Sequence, residues 1–109
     1  MTTIAKEDQV FTLINVFRVK RENQQALAKV LTEATVQTMR HLPGFISANI
    51  HRSFDGTRVV NYAQWRSKED FEAMLRSEAA KPHLGKAQEL AENADPIVCE
   101  VVGSMAAAR

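Results

Sequence analysis

The stretch FISANIHRSFDGTRVVNYAQW (Phe45–Trp65) decides the fold. Its two halves, FISANIHRS and RVVNYAQW, are rich in β-branched and aromatic residues, and each reads as a strand. Asp55-Gly56 between them is a hairpin signal, because these residues tolerate the backbone of a tight turn. A two-residue turn there fixes the pairing by counting back. Phe54 faces Thr57, His51 faces Val60, Ile50 faces Asn61 and Ile46 faces Trp65.

Upstream, ENQQALAKVLTEATVQTMRHL places Ala26, Leu27, Val30, Leu31, Ala34, Met39 and Leu42 at helical spacing, and Pro43-Gly44 ends the run. Before it, VFTLINVFRV reads as a buried strand. Downstream, Ser67 with Asp70 three positions on forms a variant capping box that opens a short helix. Pro82 suits the first turn of a further helix with Leu84, Ala87, Leu90 and Ala91 on one side. Asp95-Pro96 is expected to break that helix, IVCEVV to form the last strand and GSMAAAR to be irregular. The order is β-α-β-β-α-β with the second helical region split. That is the α+β, ferredoxin-like arrangement: an antiparallel sheet, strands one and three central, helices on one face.

With 109 residues the expectation is a single domain, 1–109, with a core over about 10–102 and flexible ends at 1–8 and 103–109. Apolar residues make up 45% and charged residues 25%, which is ordinary globular usage. The net charge is +1 and the basic residues are scattered, so no nucleic-acid partner and no membrane surface are expected. MTTIAKEDQ lacks the apolar segment of a secretory signal, and the single Cys99 cannot form an internal disulfide, so the expected location is cytoplasmic.

The strands are apolar on both faces. Phe11, Leu13 and Phe17 alternate against Val10, Ile14 and Val16, and Ile97, Cys99 and Val101 alternate against Val98 and Val102. A strand with one wetted face alternates apolar with polar instead. Helices from one chain cover one face of such a sheet, so the other is expected to pair with a second copy in a homodimer.

Polar residues interrupt this pattern. Asn15 falls among Phe11, Leu13 and Phe17, and strand three places Val59, Asn61, Ala63 and Trp65 on one face. Asn61 and Trp65 stand roughly 13 Å apart along the strand, with the small Ala63 between them. Asn15 on the adjacent strand falls near Asn61. Two amides, an aromatic wall and a gap make a pocket floor on which a flat ligand stacks. The competing structural reading is a core tryptophan and amides that satisfy nearby backbone. Ile50 and Ile46 extend the apolar wall, and His51 falls on the opposite face. His41 ends a helix, and His83 follows Pro82 at a helix start. No histidine has metal-ligand spacing, and there is no glycine-rich phosphate loop.

PGFISANIHRSFDGTR followed by VVNYAQWRSKEDFEAML resembles the antibiotic biosynthesis monooxygenase family, and the likeness extends over about Val10 to Val102. The resemblance implies a dimeric α+β barrel with the active site between sheet and helices. It implies oxygenation of activated phenolic polycycles by dioxygen as co-substrate, without metal, flavin or other prosthetic group. It also implies catalytic roles for Asn15, Asn61 and Trp65. Ile50, Ala63, Phe71 and Leu75 are further candidates to contact a small aromatic substrate, with His83 and Lys86 at the rim. No general base is evident on the Asn/Trp face. Heme-degrading relatives carry an axial histidine on the helix after strand three, where SKEDFEAMLRSEAA has none. The other alternative is a ligand-binding or stress protein, because one fold serves many functions.

Overall fold

The computed structural model describes residues 10–108. The expected flexible segment 1–8 lies outside the described residues. In chain order the elements are β1 (Phe11–Val19), α1 (Arg21–Gln37), a 3₁₀ turn (Met39–His41), β2 (Phe45–Arg52), β3 (Arg58–Trp65), α2 (Lys68–Arg76), α3 (Lys81–Leu90) and β4 (Ala91–Cys99). The four strands form one antiparallel sheet in the order β2-β3-β1-β4, with β1 and β3 central.

The hairpin has the expected register over most of its length: Ile50 lies opposite Asn61 and His51 opposite Val60. At its far end a bulge between Phe45 and Ser47 puts Phe45, not Ile46, opposite Trp65. Ile46 is the residue the bulge ejects, and it is exposed. The turn is also wider than two residues. Ser53 N–H donates to Arg58 O at 3.0 Å and Gly56 N–H to Ser53 O at 3.2 Å, which leaves Phe54–Thr57 as the loop. Asp55 organises it by accepting from the Ser53 hydroxyl (2.7 Å) and from the Thr57 hydroxyl (2.7 Å) and N–H (3.0 Å). Those bonds hold its carboxyl well below the usual carboxylate range. The Gln24 amide of α1 donates to Ser53 O (2.9 Å) and Arg58 O (3.0 Å), tying the hairpin mouth to the helix layer.

The helices cover one face. α1 lies across β2 and β3, α3 packs on α1 and β4, and α2 leans on β3. Phe17, Val19, Leu27, Val59 and Ala87 form one buried cluster; Ala34, Met39, Trp65, Met74 and Ala80 form another. Helical periodicity continues to Leu42, but the α-helix stops at Gln37. Thr38, at φ −129°, breaks it, and the 3₁₀ turn carries Met39 into the core at a spacing that mimics the helix. Ser67 caps α2 as expected, accepting from Asp70 N–H at 3.1 Å, and Pro82 sits in the first turn of α3.

The last strand differs from the sequence expectation. It starts at Ala91, directly after α3, runs through Asp95-Pro96 and ends at Cys99 rather than continuing to Val102. Pro96 is tolerated because β4 is an edge strand, where a missing N–H costs no ladder bond. Residues 100–108 have no regular structure.

Candidate active site

Register brings the amides together. On the central pair of strands Asn15 lies directly opposite Asn61, with Leu13 opposite Ala63 and Phe17 opposite Val59. All of these face the helix layer. There all but Val59, which is packed in the core, floor a cavity of about 260 Å³. That is slightly below the range of small-molecule sites, roughly 300–1,000 Å³. Trp65 forms one wall, Met39, Ala34 and Thr35 the α1 side, Phe71, Met74 and Leu75 the α2 side, and His83, Leu84 and Gln88 the α3 side.

Trp65 is both core and wall. It is 2% exposed and makes edge contacts with Phe45 (5.3 Å between centroids, 86°) and Phe71 (6.3 Å, 66°). Phe71 in turn stacks on Phe11 at 5.3 Å. The indole is therefore fixed by aromatic neighbours, and its orientation does not depend on a ligand. The bulge at Ile46 is what delivers Phe45 to this cluster. The turn before it requires Gly44, whose φ is +83° and whose missing side chain leaves room for Asp70. Arg66 pairs with Asp70 through Nε (2.8 Å) and Nη2 (3.0 Å). That pairing and the Ser67 hydroxyl lower the Asp70 pKa.

The amide oxygens of both Asn15 and Asn61 are buried and have no hydrogen-bond partner. Two such groups side by side in an apolar cavity are costly unless a ligand or water engages them. Each amide carries donor and acceptor and turns about its last bond to present either.

Of the sequence candidates, the structure gathers Asn15, Asn61, Trp65, Ala63, Phe71, Leu75 and His83 around one cavity. Ile50 packs instead against the core cluster of Phe17, Leu27 and Val59, and Lys86 is exposed on α3 outside the lining. His41 and His51 are exposed and away from it. Phe45 and Thr38 escaped the sequence reading. Thr38 Oγ1 lies 3.1 Å from His83 Nε2, joining the end of α1 to the start of α3. The only sequence signal for Thr38 was a β-branched hydroxyl residue near a helix end. Among the described residues no group of three or more His, Cys, Asp or Glu converges as a metal site.

The family model of the antibiotic biosynthesis monooxygenases matches residues 10–90. The chain belongs to that family. Tetracenomycin-F1 monooxygenase of Streptomyces glaucescens is 45% identical over 107 residues, which cover 98% of this chain and 95% of that protein. Among solved structures, a variant of SnoaB, a cofactor-independent oxygenase from Streptomyces nogalater, superposes with a TM-score of 0.78 at 18% identity, covering 89% of this chain and 97% of that one. A monooxygenase from the gene ActVA-Orf6 of Streptomyces coelicolor, in complex with nanaomycin D, superposes with a TM-score of 0.75 at 28% identity, covering 90% and 92%. This member of the antibiotic biosynthesis monooxygenases is accordingly an enzyme, a monooxygenase, on the family's α+β fold. No helix among its described residues is long and apolar enough to cross a membrane.

Proposed function

We propose that the chain binds a flat phenolic polycycle of the anthrone or hydroquinone type and oxidises it to the quinone with dioxygen, using no prosthetic group. The proposal rests on the amide pair. Asn15 and Asn61 leave two buried amide oxygens without partners on the floor of an apolar cavity, beside a rigid indole. A planar ring system fits against Trp65 while the amides bind its oxygen substituents. The 45% identical relative and the nanaomycin complex of the 28% identical one support a polycyclic aromatic ligand.

Such a substrate supplies its own electrons. Loss of an acidic proton gives an electron-rich anion that passes one electron to dioxygen. On an anthrone the radical pair then combines to a peroxide at the methylene carbon, and loss of water takes the second methylene hydrogen and leaves the carbonyl, so one oxygen atom stays in the product. The protein's part is to hold the anion, stabilise charge on oxygen and exclude bulk water. Asn15 and Asn61 donate to the developing oxyanion or peroxide, and Trp65 walls the ring.

The test is oxygen uptake with dithranol by protein dialysed against chelator. Wild type is expected to consume oxygen without additives, and Asn61→Ala to be much slower; equal rates in the two proteins reject the role of the amide. A coloured group in the purified protein contradicts the cofactor-free chemistry. Heme is disfavoured because α2, the helix after β3, carries no histidine. Hemin addition should give no shifted Soret band.

The helix-free face of the sheet carries Ile14, Val16, Val60 and Ile97. Ile97 is 45% exposed. We propose that a second copy covers this face. Light scattering at micromolar concentration should give the dimer mass, and a monomer mass refutes it.

A further inference from the structure

We infer that His83 is the proton acceptor that generates the substrate anion, an assignment that rests on the reaction proposed above. Of the twenty described residues that line the cavity, His83 alone carries an ionisable side chain. The rest are apolar, amide or hydroxyl side chains, none of which takes a proton in neutral water. Imidazole is the side-chain type suited to general-base chemistry near neutral pH.

The ring is also held. It projects from the first turn of α3, and its Nε2 meets Thr38 Oγ1 at 3.1 Å. With the hydroxyl accepting from Nε2–H, the lone pair sits on Nδ1, for which no protein partner is found among the described residues. Thr38 is placed for this by the break between α1 and the 3₁₀ turn. A base, held from behind by a hydroxyl outside the lining, thus shares an apolar cavity with the two amides that receive the anion.

The charged groups on the surrounding elements lie outside the lining. Lys29 and Glu33 on α1, Arg40 and His41 on the 3₁₀ turn, Arg76 on α2, Lys81, Lys86 and Glu89 on α3, and Asp95 on β4 are exposed. Glu72 on α2 is half-buried but outside the lining.

In the step itself, the acidic C–H or O–H bond of the substrate breaks and its electron pair stays on the ring system as a delocalised anion. The proton moves to Nδ1, leaving an imidazolium still bonded to Thr38. After dioxygen has taken its electron and combined with the substrate radical, the imidazolium returns the proton to the terminal peroxide oxygen. Water is then lost from the hydroperoxide, and the base is regenerated.

Two measurements test this, both with dithranol. The first is the pH profile of kcat/KM for wild type, His83→Gln, His83→Asn, Thr38→Val and Thr38→Ser, each checked for native circular dichroism. Either His83 variant should lower kcat about 100-fold at neutral pH with little change in KM, and abolish the acidic limb of the profile. Thr38→Val should slow turnover but keep that limb, and Thr38→Ser should restore the wild-type rate. The second is the absorbance of bound dithranol without oxygen. Wild type should bind the anion at a pH where the free compound is neutral, and the His83 variants the neutral form. Unchanged profiles, or equal ionisation of the bound ligand in all proteins, overturn the assignment. A wild type that ionises bound dithranol but consumes no oxygen supports His83 and refutes the oxidation; failure to bind dithranol overturns both.

Discussion

Two polar pairs cross the same two central strands three rungs apart. Thr12 lies opposite Gln64 and Asn15 opposite Asn61. Thr12 and Gln64 point away from the helices, are fully buried and bond to each other, Gln64 Nε2 donating to Thr12 Oγ1 at 3.2 Å. The asparagines point into the helix side, and their oxygens bond to nothing. The chemistry of the side chains is alike; what differs is whether the fold completes their hydrogen bonds. A satisfied pair contributes to stability. An unsatisfied pair is a cost the fold carries, and the compensation lies in what it binds.

The sharpest way to break the contrast is Asn61→Ala. Removing one donor to a developing oxyanion typically costs ~10²–10³ in kcat. Oxygen uptake should fall by that order while the melting temperature does not drop, because no protein bond of the amide oxygen is lost. A variant that melts well below wild type shows that the amide is structural after all. Thr12→Val should do the reverse. It withdraws one acceptor from a buried amide, which should lower stability in urea unfolding by about 1 kcal/mol and leave kcat/KM of the folded protein unchanged.

Gly44→Ala probes the link between the two regions. The positive φ alone costs about 1–2 kcal/mol, and the new methyl also crowds Asp70. Because this turn sets the bulge that brings Phe45 to Trp65, the variant should lose stability and weaken dithranol binding together. Stability lost with binding intact would show that the wall holds without the bulge.

The smallest effect is the response to acid. Asp55 is held by Ser53 and Thr57, and Asp70 by Arg66 and Ser67, so both carboxyls have depressed pKa values in the folded protein. The unfolded chain binds more protons near its ordinary aspartate pKa of about 3.9. The stabilisation is thus complete above that pH and is lost as pH falls through the lower folded values. Urea midpoints should be lower at pH 3 than at pH 6, by the same amount in wild type, Asn61→Ala and Thr12→Val, since neither polar pair titrates. A different acid response in either variant would mean that its pair is coupled to the loops.

Much of this was legible in the chain. Period-two spacing placed Asn61, Ala63 and Trp65 on one face, and the Asp-Gly signal fixed Ile50 against Asn61, because alternation and turn chemistry are local. The bulge was not legible. Ejecting Ile46 depends on how Gly44, Arg66 and Asp70 pack, and those residues come from both ends of the hairpin. The strand through Asp95-Pro96 was missed for a related reason. Proline is a breaker in isolation, and only the edge position of β4 makes it harmless. Ile50 lies on the expected face, yet α1 covers it with core residues. Lys86 lies on the expected helix, but turned to solvent.

The sequence by itself determined the order of elements, the face that carries the amides and the identity of the family. Those properties follow from spacing, propensity and short motifs, which act over a few residues at a time. The tertiary structure decided which polar groups are left without partners, which wall holds the indole, and that His83 meets Thr38. Partnering and burial are sums over side chains brought together from distant parts of the chain, and they exist only once the layers have packed.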